Sequence, residues 1–295
     1  MKPMMISVLV LCGVSMAAAA HGEDHFFDSG GVRIRYTDQG HGDAIVLLHG
    51  NGRSLEEWND SGVAPDLARD HRVIALDARG HGKSGKPHNA TAYGRQMGLD
   101  VVRLLDHLGI RRANIVGYSM GAWIVSELLV SHPDRFVTAT LGGGTGPFHW
   151  TAEDTALWEK VASETERECV SPTLVRRTAP ASEPPSEETL RRLSTTCMAN
   201  PNVDRFANAA VDRGFKELAA TPAHVAAVKV PTVAIVGSLD ENLPDLQALK
   251  KLRPNLKLVV IDGATHTGER GAMRRPEFAA AIREFIASEN KRGVR

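Results

Sequence analysis

Ser119 stands between Gly117 and Gly121 in ANIVGYSMGAW (113–123), directly after one apolar run and before another. Glycine-x-serine-x-glycine can be a flexible turn. It can also be a sharp strand-to-helix elbow that leaves no room for side chains two positions away and presents the hydroxyl as a nucleophile. At neutral pH such a serine needs a base, and the base needs an acid to fix its tautomer. Of the 12 histidines, His266 in VVIDGATHTGE falls just past the last strand-like run, where that base is wanted. In AIVGSLDENLP, Asp240 follows a strand-like run and can be the acid, with Glu241 beside it and Asp262 in the loop of His266 as competitors. The loop position favours Asp240, and the alternative loop after TATL reads GGGTGP, without a carboxylate.

A tetrahedral intermediate also requires donors for its oxyanion. HGNG follows the run AIVLL, and the amides of Asn51 and of Met120, at the start of the helix after Ser119, could converge on one oxygen. This set describes acyl transfer with no metal or organic cofactor. The remaining histidines read more plainly. His49 and His81 belong to turns and His132 to a helix end, while His21 and His25, with Asp24, form a weak metal candidate on a loose N-terminal stretch. No Cys/His array has zinc spacing. RGHGKSG has Asp77 where a phosphate loop needs glycine, so it reads as a polar turn.

Placing these groups together demands a particular scaffold. The runs at 44–48, 72–76, 114–117, 136–141, 232–237 and 256–261 are mostly continuous rather than alternating, which predicts strands covered on both faces. Val101, Leu104, Leu105 and Leu108 mark one helix between them, and Phe278, Ile282, Phe285 and Ile286 mark the last. GAWIVSELLV is apolar nearly all round and predicts a buried helix. Strand and helix alternation predicts an α/β fold, a doubly wound, mostly parallel sheet, with the alternating stretch 25–40 as an antiparallel hairpin at its edge.

Residues 146–228 break the rhythm with helical patterns, polar loops and no strand. They predict a helical cap, opened by Thr151 and Asp154 at capping-box spacing, on a core formed by 21–145 and 229–295. Phe148 and Trp150 sit at the junction, where they either wall a substrate pocket over Ser119 or pack the core.

The 295 residues carry no formal net charge, so no global field draws the chain to nucleic acid or an anionic membrane. Residues 1–20 start with Lys2, run apolar from Met4 to Met16 and end with Ala18 and Ala20, the layout of a secretory signal peptide. The reading is export to the periplasm or medium, with no membrane span in the mature chain. Loss of Cys12 then leaves Cys169 and Cys197, either a disulfide in an oxidising compartment or two separately buried thiols.

Five matches in order, HGNG, DARGHGKSG after the fourth strand, GYSMG, GSLDENLP and GATH, make the chain resemble the α/β-hydrolase fold superfamily, specifically its cap-bearing serine hydrolases and esterases. The resemblance spans 25–290 and implies a Ser–Asp–His order, here Ser119, Asp240 and His266. Its aspartate-to-proline spacing, Gly237, Asp240 and Pro244, supports Asp240 over Glu241, and its usual cap site between the sixth and seventh strands is where 146–228 lies. Serine at 119 argues against the relatives with an aspartate nucleophile, the epoxide hydrolases and haloalkane dehalogenases. The implied activity is hydrolysis of a small-molecule carboxylic ester or lactone. Carbon–carbon hydrolases, peptidases and cofactor-free haloperoxidases or perhydrolases use the same framework, and receptor-like members keep the fold for ligand binding.

Overall fold

The computed structural model describes residues 22–179 and 183–293, so the leader read at 1–20 lies outside the described residues. Eight strands form one sheet: β1 (His25–Asp28), β2 (Arg33–Gly40), β3 (Ala44–Leu48), β4 (Arg72–Leu76), β5 (Ala113–Tyr118), β6 (Phe136–Gly142), β7 (Thr232–Gly237) and β8 (Lys257–Ile261). Their spatial order is β1-β2-β4-β3-β5-β6-β7-β8. Strands β3 to β8 run parallel, while β1 and β2 form the expected antiparallel hairpin at one edge.

The continuous apolar runs are explained by burial on both faces. Side chains alternate across a strand, so Ile45 and Leu47 join one apolar cluster with Trp58, Leu67, Phe278 and Ile282. Val46 and Leu48 join the other, with Val101, Leu104, Ile124 and Leu128. The first face is covered by α1 (Glu56–Asp60), α2 (Val63–Leu67) and the C-terminal α11 (Pro276–Gly293). The second is covered by α3 (Arg95–His107), α4 (Met120–Ser131) and α10 (Leu243–Leu252). Strand β8 departs from the two-sided pattern, since it is the sheet edge and leaves Val260 45% exposed.

Between β6 and β7 the chain leaves the sheet for a helical insert: α5 (Ala152–Glu168), α6 (Pro172–Arg177), α7 (Glu187–Ala199), α8 (Arg205–Gly214) and α9 (Pro222–Ala227). Thr151 and Asp154 form the expected reciprocal capping box at the start of α5, and Ser186 caps α7 by accepting from the Thr189 amide at 3.1 Å. The insert is seated on α4 by an edge-to-face aromatic cluster. Trp123 of α4 meets Trp158 of α5 at 5.6 Å and Phe215 at 5.4 Å, and those two rings lie 4.8 Å apart.

A disulfide joins Cys169, just past α5, to Cys197 in α7, with the two Cα atoms 5.9 Å apart. It closes a segment that includes α6 and so restrains the outer part of the insert. A chain beginning at residue 21, unfolded without reductant, should show no free thiol, and two after reduction, by thiol titration. Cys197→Ser should destabilise the protein by about 2–4 kcal/mol in a denaturant titration.

Candidate active site

The turn from β5 into α4 is a single residue long. Ser119 has φ 54° and ψ −116°, one of two described non-glycine residues with positive φ, and its amide donates to the Gly142 carbonyl at 2.8 Å. The flanking glycines follow from how closely the backbones approach. A Cβ on Gly117 would lie 2.2 Å from the Gly121 carbonyl oxygen. A Cβ on Gly121 would lie 2.1 Å from the Leu48 carbonyl oxygen of β3. The serine is thereby held half-buried at the carboxyl end of the sheet, on the N-terminus of α4.

His266 and Asp240 come from the loops after the last two strands, and several bonds tie these loops together. The Ser238 amide donates to the Ile261 carbonyl and the Leu239 amide to the Ala264 carbonyl, both at 2.9 Å. The Tyr118 hydroxyl, next to Ser119 in sequence, donates to the His266 carbonyl at 2.6 Å. These restraints bring His266 Nε2 to 3.0 Å from Ser119 Oγ and His266 Nδ1 to 2.9 Å from Asp240 Oδ2. The other Asp240 oxygen accepts the Asn242 amide at 2.9 Å. Hence Nδ1–H donates to the carboxylate and Nε2 is left to accept the serine proton.

The competing carboxylates are not so placed. Glu241 is partly buried with Oε1 free of any hydrogen-bond partner, and burial pushes its carboxyl above the usual range. Asp262 accepts from Ser238 Oγ at 3.2 Å, on the exposed side of its loop. For His266, burial works to lower the pKa. The hydrogen bond and charge of Asp240, with the charges of Glu241 and Glu57, outweigh it and raise the imidazole above its ordinary value.

HGNG lies against the elbow, since a Cβ on Gly50 would lie 3.5 Å from Ser119 Cβ. Met120 supplies a first-turn amide of α4, which has no acceptor inside its own helix. The Asn51 amide likewise has no backbone acceptor among the described residues. Both predicted donors thus lack a backbone acceptor, and each is next in sequence to a residue at the elbow, Gly50 or Ser119.

Three expectations need correction. Phe148 and Trp150 pack, partly buried, against the main apolar cluster, and neither lines the cavity of about 750 Å³ that opens beside His266. That cavity is bounded instead by residues that include Tyr118, Arg53, Glu57, Asn202, Thr267 and Met273, so polar and apolar surface share its walls about equally. The stretch around His25 is not loose: His25 pairs with Tyr36 in the sheet, and Asp24 is engaged by Arg35 at 2.5 Å and Lys83 at 2.7 Å, leaving its carboxylate no role as a metal ligand. His21 lies outside the described residues. Nor are His49 and His81 ordinary turn residues, because both are buried, His49 as the first residue of HGNG and His81 packed edge-to-face against it. His49 Nδ1 is 2.7 Å from the Gly50 carbonyl, and its Nε2 accepts the Ala78 amide at 3.1 Å. The one group of metal-ligating residue types among the described residues is Asp240, Glu241 and His266, which belongs to this same site.

A doubly wound sheet with a helical insert after β6 and a serine–histidine–carboxylate chain at its carboxyl edge defines a class of α/β proteins built for nucleophilic chemistry. The chain belongs to the alpha/beta hydrolase fold family, whose model matches residues 43–268. Among curated proteins it is 37% identical over 131 residues to a 2-hydroxymuconate semialdehyde hydrolase of Pseudomonas sp. (strain CF600), covering 43% of this chain and 46% of that protein. The chain thus spans less than half the length of the curated relatives it matches. Its fold is shared with the enol-lactonase from Burkholderia xenovorans LB400, with a TM-score of 0.72 and 22% identity over 89% of this chain and 100% of that one. A carboxylesterase of the thaumarchaeon Nitrososphaera gargenis also gives a TM-score of 0.72, at 21% identity over 90% and 99% of the two chains.

A protonated His266 cannot take the serine proton, so turnover should fall as pH drops through a pKa lying above the ordinary imidazole value. Asp240→Asn removes the support for that pKa. It should move the acidic limb to lower pH and reduce kcat by about 10³–10⁴-fold, the scale seen when a triad acid is replaced elsewhere. Glu241→Gln should leave kcat/KM within severalfold of wild type, as read from the same pH–rate profiles.

Proposed function

We propose that the protein is an exported serine hydrolase that cleaves a small carboxylic ester or lactone. One observation carries this reading: the unbroken hydrogen-bond chain from Ser119 Oγ through His266 to Asp240, with both links at or below 3.0 Å, on a serine placed at a helix N-terminus. Ser119 Oγ attacks the acyl carbon as its proton passes to His266 Nε2. Asp240 keeps the ring in the required tautomer and stabilises the imidazolium. The carbonyl oxygen gains the negative charge and rests on the Asn51 and Met120 amides, an arrangement in which loss of one donor typically costs about 3 kcal/mol of transition-state stabilisation. The C–O bond then breaks, the alcohol leaves with the proton from His266, and an acyl-enzyme remains. Water gives up a proton to His266, attacks the acyl carbon and releases the acid, restoring Ser119.

The charged and polar groups that share the walls of the cavity beside His266 with apolar surface, Arg53 and Glu57 among them, favour a substrate that carries polar groups as well as an apolar part. The solved structures of a lactonase and a carboxylesterase with this fold agree with ester or lactone chemistry. The curated hydrolase at 37% identity and another at 35%, named for an oxo-dienoic acid, favour a second reading, in which the same triad acts on another bond, such as a carbon–carbon bond of an oxo-dienoate. The layout of residues 1–20 and the Cys169–Cys197 disulfide support export, because disulfides persist in oxidising compartments. Among the described residues no helix is long and apolar enough to cross a membrane.

Purified protein should hydrolyse members of a panel of short esters and lactones, and Ser119→Ala should reduce that turnover to background. Undiminished turnover in Ser119→Ala would overturn the assignment of the nucleophile. An ester-inactive enzyme that cleaves oxo-dienoates would select the second reading. Covalent labelling of Ser119 by a fluorophosphonate without turnover of any panel member would instead point to a ligand-binding role.

A further inference from the structure

The side chain of Asn51 does something its backbone role does not require. Its Nδ2 donates to Asp212 Oδ1 at 3.0 Å, and its Oδ1 lies 3.1 Å from His81 Nε2. Asp212 belongs to α8 of the helical insert, whereas Asn51 and His81 belong to the core. Asp212 is 1% exposed and His81 2% exposed, so water does not compete for either bond. With Nδ2 facing the carboxylate, Oδ1 is turned to His81, whose other ring nitrogen, Nδ1, lies 3.1 Å from the Arg79 carbonyl. Burial, helped by the neighbouring His49, holds that ring neutral by lowering its pKa to about 3.

Asp212 is itself fixed from the insert side. Thr165 Oγ1 of α5 lies 3.3 Å from its Oδ2, and the adjacent Arg213 is occupied by Glu159 and Glu166 at 2.8 and 2.5 Å. Helix α8 is seated on the core by close contacts: Val211 lies where a Cβ on Gly80 would fall, and Asp204 at its N-terminus bonds His88 at 2.8 Å. Among the described residues, Asp212 makes the insert's one hydrogen bond to the 49–53 loop. A buried carboxylate is expensive unless it is hydrogen-bonded, and burial raises this carboxyl to about 7 even with Asn51 and Thr165 donating. The burial cost of an aspartate at this point is offset by two bonds, one inside the insert to Thr165 and one across to Asn51 in the core.

We propose that Asp212 is a positioning residue. By holding the Asn51 side chain it fixes the Asn51 peptide whose N–H receives the oxyanion, so the oxyanion site is complete only when the insert is seated. The inference rests on the serine-nucleophile reading above. A donor misplaced by roughly 1 Å can slow a reaction by about 10²-fold, whereas substrate affinity, set mainly by other walls, has no reason to change in step. Either protonation state of Asp212 retains a carbonyl-type oxygen that can accept from Nδ2, and so would an amide.

Saturation kinetics of phosphonylation by a fluorophosphonate, which develops the same oxyanion, separate these effects in wild type, Asp212→Asn, Asp212→Ala, Asn51→Ala and Asn51→Ala/Asp212→Ala. The limiting rate should fall about 10–100-fold in Asp212→Ala and equally in Asn51→Ala, with little change in half-saturating concentration. The double variant should be no slower than either single one, and Asp212→Asn should recover most of the rate. Should Asp212→Ala not fold, as read by circular dichroism, Asn51→Ala against Asp212→Asn decides the question from the core side. The inference is overturned if Asp212→Ala or Asn51→Ala reacts at the wild-type limiting rate, if only the half-saturating concentration moves, if the two losses add, or if Asp212→Asn is as slow as Asp212→Ala. A wild type that is never labelled would sink the nucleophile reading first; a labelled wild type with an indifferent Asp212→Ala would sink only this inference.

Discussion

The site depends on one close approach, that of helix α4 to strand β3. The Gly121 α-carbon sits so near the Leu48 carbonyl that no side chain fits between them, and Gly117 is pressed in the same way against the start of the helix. Only with α4 this close to the sheet can a strand turn into a helix through one residue. That residue, Ser119, takes a backbone conformation that a side chain ordinarily avoids. Strain at this point leaves the hydroxyl at the helix N-terminus with no capping bond, where it meets His266.

Every other part of the site is arranged around that fixed point. In a parallel sheet all loops after strands emerge at one end; β3, beside β5, carries HGNG on one side, and β7 and β8, beyond β6 on the other, carry the aspartate and histidine loops. The Tyr118 hydroxyl under His266 and the cross-ties between the two loops convert nearness into aim. His49, the first residue of HGNG, and His81 beside it do the same for that loop with buried imidazoles.

The helical insert is joined to this arrangement by two kinds of contact. The Trp123–Trp158–Phe215 cluster supplies adhesion without demanding one geometry, since apolar contact is weakly directional. The bond between Asp212 and Asn51 is directional and buried, and it meets the core at the loop next to Ser119. A cap held in this way can report its seating to the chemistry below it.

Much of this was legible in the sequence because it is locally encoded. Periodicity gave the strands and the order of the sheet's two-sided burial, Thr151 and Asp154 marked the start of α5, and GYSMG marked the elbow by the steric needs of adjacent backbone. What was hidden depends on residues far apart in the chain. Asp240 and Glu241 are neighbours of one charge, and only the packed loops decide which carboxylate meets Nδ1. Aromatic type at the junction suggested Phe148 and Trp150, but the insert folds over so that Trp123 meets it and the cavity opens elsewhere. Asp212 carried a faint signal, one carboxylate among the small residues of ANAAVDRG, yet its partner lies 161 positions away. The sequence by itself determined the nucleophile and the scaffold that presents it, since both follow from local sterics and hydrophobic period. The sequence also favoured Asp240 as the acid; tertiary structure alone decided the pairing of the cysteines and the cap's hold on Asn51, because those join groups far apart in the chain that only distance can select.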